Sequence, residues 1–292
     1  MSFRPATRDD LAAIAELFGS VEEAVTGRPS DVDAMMVDGW LHTISFETNT
    51  WLLEEDGQLV AGAFGQRFGQ RGNSAGAVRP SACGRGLGTR LLETVERRLG
   101  DEGAERLHSW AVAGDEAADD LFTGRSYGEA RRFWEMAIEL DADQPEPSVS
   151  IEPFRPEDAK AFHAALEEAF ADHWEHDPES FDEWWRRQRH RENYDPSLWF
   201  VIRDGGEIAG VARCEPRPPT GWVGALGVRT TWRGRGYGRA LLRHCFREFR
   251  GRGFTRAALG VDAANATGAT QLYESVGMHV EQEMVVWEKV LA

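Results

Sequence analysis

The segment Val78-Arg79-Pro80-Ser81-Ala82-Cys83-Gly84-Arg85-Gly86-Leu87-Gly88 lies over Val228-Arg229-Thr230-Thr231-Trp232-Arg233-Gly234-Arg235-Gly236-Tyr237-Gly238 at a shift of 150 residues. The Leu pairs that follow, Leu91-Leu92 and Leu241-Leu242, keep the same shift. The beginnings of the two halves correspond as well, since residues 3–18 and 151–170 each read as an extended segment followed by an acidic helix start. Solenoid repeats have periods of about 20–50 residues, so a period near half the chain demands two similar domains instead. A length of 292 residues suits two domains that each bury a core. The polar stretch 141–148, with Pro145 and Pro147, disfavours regular structure and marks the linker. The expected division is a first domain over 1–143 and a second over 149–292.

Periodicity reads alike in both halves and is clearest in the second. Residues 149–153 suit a strand, and 158–170 place Phe162, Ala165, Leu166, Ala169 and Phe170 on one helical face. A second helix is expected around 180–191. The runs 198–203 and 208–213 flank Asp204-Gly205-Gly206, which predicts a hairpin. Residues 222–228 form the next strand, a Gly-rich turn opens a helix over 237–251, and 254–261 is another strand. A helix over 265–276 and a closing pair of strands over 278–290 complete the domain. This order predicts an α/β fold, a mixed sheet flanked by helices, repeated twice.

Arg233-Gly234-Arg235-Gly236-Tyr237-Gly238 therefore stands between a strand and a helix. Glycines allow positive φ and close backbone approach, so successive N–H groups can converge on a phosphate at the positive end of the helix dipole. The bland alternative is a tight strand-to-helix connection. Other phosphate motifs fail in detail: a P-loop requires Gly-Lys-Ser/Thr where Gly238-Arg239-Ala240 stands, and a dinucleotide fingerprint requires glycine at Arg239.

With the matching residues Arg233, Gly236 and Gly238, and with Leu259 to Asn265, Ala269, Leu272-Tyr273-Glu274 and Gly277-Met278 at the proper spacing, the second half resembles the GNAT superfamily of acyl-CoA-dependent N-acyltransferases. The resemblance implies two tandem GNAT-like domains, each a mixed and mostly antiparallel sheet. It implies acetyl-CoA as cosubstrate, a primary amine of a small molecule as acceptor, direct attack without an acyl-enzyme, and no metal. By the same resemblance, the backbone of Leu226 and Val228 pairs with the pantetheine arm, and residues 233–238 hold the pyrophosphate, with Arg233 and Arg235 adding charge. Asn265 orients the cofactor or caps the following helix, and Tyr273 protonates the departing thiolate, its bland alternative being a core tyrosine.

The general base has no obvious owner, because the strand before the turn, Gly221-Trp222-Val223-Gly224-Ala225-Leu226, contains neither carboxylate nor imidazole. Glu215 lies just upstream, and Asp172, His173, Glu175 and His176 cluster after the first helix of the second half. Glu215 and His173 are the candidates carried forward. In the first half Cys83 replaces Arg233 and Phe122 falls where Tyr273 stands, while Gly86 and Gly88 remain able to bind phosphate and Asp115 lies near the counterpart of Asn265. The first half thus reads as a degenerate copy and the second as the catalytic one.

Composition narrows the rest. A net charge of −16 repels nucleic acid, no apolar run reaches a membrane-spanning length, and three scattered cysteines form neither a disulfide framework nor a zinc cluster. The N-terminus has no secretory pattern, so a cytoplasmic location is expected. An acyl-CoA sensor without turnover and an acetyltransferase of protein amines remain as alternatives, and no feature addresses oligomeric state.

Overall fold

Amphipathic segments separated by turn residues become helices and strands in the order the repeat requires. The computed structural model describes residues 2–41, 43–141, 144–191 and 193–291. The first repeat contains α1 (Leu11–Thr26), α2 (Ala34–Leu41), α3 (Phe46–Asn49), β1 (Thr50–Glu55), β2 (Gln58–Phe68), β3 (Arg71–Val78), α4 (Leu87–Asp101), β4 (Arg106–Val112), α5 (Glu116–Gly124) and β5 (Gly128–Glu139). The second contains β6 (Glu152–Pro153), α6 (Ala159–Phe170), α7 (Phe181–Arg189), β7 (Trp199–Asp204), β8 (Glu207–Arg217), β9 (Thr220–Val228), α8 (Tyr237–Gly251), β10 (Arg256–Asp262), α9 (Ala269–Glu274) and β11 (His279–Val290). The expected α/β class, with mixed sheet and flanking helices in two copies, is what forms.

Contacts divide the chain into one unit of Met1–Phe133 with Gln282–Ala292 and another of Trp134–Glu281. This differs from a linear cut at 143/149, whose residues 142 and 143 lie outside the described residues. Each repeat has exchanged its closing strand. In the first unit β11 pairs antiparallel with β4, from Met284↔Val112 to Val290↔Arg106. In the second, β5 lies next to β10, and Leu140 N–H donates to the carbonyl of Thr255 at 2.7 Å. The expected closing pair over 278–290 is a single strand, because nothing between His279 and Val290 favours a turn: the run has no Gly, Pro, Asn or Asp.

The exchange is fixed by side chains. Trp287 stacks on Phe122 with ring centroids 5.5 Å apart, and Lys289 pairs with Glu96 at 3.0 Å, both within the first unit. Met136 is fully buried in the core of the second unit. Each unit then closes its sheet with a helix after the glycine turn. Leu241, Leu242, Cys245, Phe246 and Phe249 on α8 are all 0% exposed, and Leu87, Leu91, Leu92, Val95 and Leu99 play the same part on α4. Full burial of each such side chain contributes about 1.5–3 kcal/mol. On the opposite sheet face of the second unit, α6 and α7 bring Phe162 and Trp184 against Trp199 and Val211.

Candidate active site

The sheet of the second unit opens where the sequence places acyl chemistry. β9 and β10 run parallel, and their ladder covers only Thr220–Trp222 against Arg256–Ala258. Just beyond it, β9 bulges: Arg213 pairs with Ala225 but Cys214 pairs with Val223, which leaves Gly224 as the extra residue. From Val223 to Val228 the strand stays bonded to β8 on one side and, among the described residues, has no ladder partner on the other. Such an edge presents unpaired N–H and C=O groups to an extended ligand. Leu226 and Val228 both lie on it, although the carbonyl of Val228 already accepts a hydrogen bond from Arg233 Nε at 3.2 Å.

In the first unit the opening begins later. There β3 and β4 stay paired from Arg71↔Arg106 through Ala75↔Trp110, and the β2–β3 ladder runs from Ala61↔Val78 to Phe68↔Arg71 without a register shift. Ala75 corresponds to Ala225 at the repeat's offset of 150, so the second unit opens three residues earlier, after Trp222. The glycines of β9 allow it. A Cβ on Gly224 would sit 2.9 Å from Arg213 Nη2 and Glu215 Oε1, and one on Gly227 would sit 2.8 Å from the Cβ of Ala169 on α6.

At the end of β9 the turn takes the conformation that only glycine adopts freely. Gly234 and Gly236 have φ of 78° and 81°, and Gly236 caps α8 without any side-chain hydrogen bond, leaving its first N–H groups outward. Gly238 is needed for a different reason, since a Cβ there would meet Leu272 of α9 at 3.0 Å. Gly84 and Gly86 repeat the positive φ at 76° and 74°, and Gly88 packs against Leu121 as Gly238 does against Leu272. The cradle backbone is therefore present in both units.

The arginines around it do other work than expected. Arg233 donates to the carbonyls of Val228 and Ala169, at 3.2 and 3.1 Å, and so ties the end of β9 to the end of α6. Cys83 takes the equivalent place and can make only weak thiol contacts. Arg235 and Tyr237 both donate to Asp204, at 2.8 and 2.9 Å.

Tyr273 lies on α9 facing the core, 7% exposed, and burial raises its phenol to about 12. The phenol is thus fully protonated at neutral pH. Phe122 is its counterpart: Tyr127 N–H donates to the Phe122 carbonyl at 3.0 Å as Met278 N–H donates to that of Tyr273 at 3.1 Å. Asn265 uses its side-chain oxygen to accept from the backbone of Thr267 at 2.8 Å and from the Thr267 hydroxyl at 2.6 Å. This shapes the loop before α9, whose N-cap is Gly268 and not Asn265. Asp115, in contrast, is the N-cap of α5 and accepts from Ala118 N–H at 3.0 Å.

The two base candidates separate. Glu215 on β8 is 3% exposed among arginines. Burial alone would raise its carboxyl, but Arg213, Arg191 and Arg217 reverse this and hold it near 2. A carboxylate so strongly held as an anion is a poor proton acceptor at neutral pH. His173 follows α6, its ring 4.5 Å from that of Phe170. Burial lowers its pKa, opposed by the charge of Asp262 at the end of β10. Burial thus favours the neutral imidazole, the form able to accept a proton. His176 instead meets Glu167 at 3.2 Å. Among the described residues no group of three or more His, Cys, Asp or Glu gathers as metal ligands, and no helix is long and apolar enough to cross a membrane.

Sequence reasoning missed two features. One is the bulge, signalled by Gly221, Gly224 and Gly227 within a single strand. The other is the arginine cluster about Glu215, signalled by the alternation of Arg213, Glu215 and Arg217 on β8.

A splayed parallel strand pair, a bulge and a glycine cradle opening a helix define an acyltransferase of GNAT type, and the comparisons agree. Residues 16–127 and again 159–278 match the Acetyltransferase (GNAT) family, so the chain belongs to that family and is an N-acetyltransferase. It is 35% identical over 212 residues to a mycothiol acetyltransferase of Thermobispora bispora, covering 68% of this chain and 70% of the relative. A mycothiol acetyltransferase of Thermobifida fusca is 29% identical over 266 residues, with 81% and 80% of the two chains covered. Among solved structures, a GCN5-related N-acetyltransferase from Sphaerobacter thermophilus superposes with a TM-score of 0.86 at 32% identity, over 99% of this chain and 95% of that one.

Proposed function

We propose that the second unit transfers the acetyl group of acetyl-CoA directly to a primary amine of a small molecule, and that the first unit carries no chemistry. The observation that carries this reading is the early opening of β9 from β10, after Trp222, in the same unit that has Tyr273, against a strand pair that opens only after Ala75 and a Phe122 in the other. The cosubstrate supplies an activated acetyl thioester. The free edge at Leu226 and Val228 accommodates its pantetheine arm, and the turn Gly234–Gly236–Gly238 with the α8 N-terminus receives the pyrophosphate. Relatives named mycothiol acetyltransferase support a small-molecule acceptor.

The chain's own groups then divide the proton traffic. His173, neutral at working pH, takes a proton from the attacking ammonium, directly or through water. As the N–C bond forms and the C–S bond breaks, backbone N–H groups near Leu226–Val228 stabilise the oxyanion, and Tyr273 gives its proton to the sulfur. The nitrogen gives up two protons in all: the one taken by His173 restores the phenol through solvent, and the second, lost after attack, leaves to water, so that a neutral amide, free thiol and one released proton balance the cycle. Glu215 has no part in it, being locked as an anion.

The sign of the His173 shift sets the pH test. Burial favours the neutral ring, so kcat/KM for an amine of low pKa should stay level down through pH 6.5, the ordinary imidazole value, and fall only below it. His173→Gln should lower kcat by about 100-fold and remove that acidic limb. An unchanged limb in the variant would assign the base to another group.

A further inference from the structure

Three guanidinium groups converge on one carboxylate beside the bulge. Arg213, Glu215 and Arg217 alternate along β8 and leave the sheet on the face of Val211, which packs with α6 and α7. Arg191, following α7, reaches Glu215 Oε1 at 3.0 Å, and Arg217 reaches Oε2 at 3.3 Å. Arg213 pairs with Glu215 and donates to the carbonyl of Gly224, the bulge residue, at 3.2 Å. Asn193 donates to Oε2 at 3.0 Å. Three cations against one anion leave an excess of two positive charges among the described residues, in a chain whose net charge is −16.

That excess is not dispersed in water. The side chains of Arg191, Arg213 and Arg217 are 17%, 11% and 22% exposed. Burial, with the neighbouring cations, lowers Arg191 to about 10. Unpaired charge in such a place is costly, and a second anion offsets the cost. The position is also specific. The Arg217 guanidinium lies 4.2 Å over the ring of Trp222, the last β9 residue before the sheet opens. Across the opening, a Cβ on Gly260 of β10 would be 3.9 Å from the Trp222 ring.

We propose that this cluster is a subsite for an oxyanion carried by the acceptor, so that the preferred substrate is a primary amine bearing a carboxylate or phosphate group. The proposal rests on the acetyltransferase reading above and specifies its substrate class. Arg217 is its recognition residue: one N–H goes to Glu215, and its planar fork suits two-point binding of an oxyanion. Glu215 serves as the counter-ion that holds the three arginines together in the absence of substrate.

The test measures calorimetric binding of matched acceptors to the full chain saturated with CoA, which prevents turnover. Phenylalanine is compared with phenylalaninamide, and glucosamine 6-phosphate with glucosamine, each corrected for its free-amine fraction. The two pairs separate a carboxylate source from a phosphate source. The anionic member of at least one pair should bind about tenfold or more tightly, as expected for hydrogen bonds to a charged group. Arg217→Gln should reduce that ratio to near one, Arg217→Lys should keep part of it, and Arg247→Gln, on the outer face of α8, should keep all of it. Equal or weaker binding of both anionic members, or a preference that survives Arg217→Gln, overturns the proposal. CoA release from acetyl-CoA with the same four amines reports separately on the parent reading: turnover confined to the neutral members preserves an acetyltransferase and removes the anion subsite.

Discussion

Tyr273→Phe should lower kcat for acetyl transfer by about 100-fold or more, the usual worth of a positioned general acid, and leave KM for acetyl-CoA nearly unchanged. The residue lies on α9 in the core of the second unit, with its phenol held protonated by burial. Removing one hydroxyl changes little in packing, since Phe122 fills the same place in the first unit with the same backbone hydrogen bonds. The loss should therefore fall on the chemical step. Free-CoA release under saturating acetyl-CoA, measured against wild type, checks it. Equal rates would make Tyr273 a core tyrosine and require another proton source for the thiolate, such as water.

Deleting Gln282–Ala292 should unfold the first unit, although every deleted residue belongs by sequence to the second repeat. The segment supplies the partner of β4 over seven consecutive pairs from Val112 to Arg106, the Trp287 ring against Phe122, and the ammonium of Lys289 at 3.0 Å from Glu96. Their combined loss is comparable to the roughly 5–15 kcal/mol that stabilises a whole domain. Limited proteolysis followed by mass spectrometry would read it: cleavage should begin within residues 2–133 at protease levels that leave the intact chain whole. A truncated chain as resistant as the intact one would show that the first repeat closes its own sheet.

The fold was legible to the extent that it is local. The glycine turn, the helical face of α8 and the Asp204-Gly205-Gly206 hairpin all follow from neighbouring residues, and the repeat from two such local patterns 150 residues apart. The exchange of β5 and β11 does not, because both strands have similar alternating patterns and either pairing buries similar residues. What was readable was only the missing turn between His279 and Val290, which excludes a hairpin there. The site divides in the same way. Gly234, Gly236, Gly238 and Tyr273 could be named from the motif, since backbone conformation and side-chain type carry their roles. The surroundings of Arg233 and Glu215 include partners distant in sequence, the carbonyl of Ala169 and the guanidinium of Arg191 among them. For that reason the sequence does not show that Arg233 donates to two backbone carbonyls, or that Glu215, a candidate base, lies among three arginines.

Two cradles with nearly the same backbone are proposed to differ in function because only one stands beside the earlier-opening strand pair and the proton donor Tyr273. The most direct measurement places a carboxylate in each cradle in turn, with Gly86→Asp and Gly236→Asp, and follows acetylation of an amine at varied acetyl-CoA. Asp is among the residues most tolerant of positive φ and of the N-cap position, so both substitutions should keep the fold while repelling a pyrophosphate. Gly236→Asp should raise KM for acetyl-CoA by about tenfold or more, and Gly86→Asp should leave turnover within about twofold of wild type. Loss of turnover in Gly86→Asp with activity retained in Gly236→Asp would contradict the account and move the chemistry to the first unit.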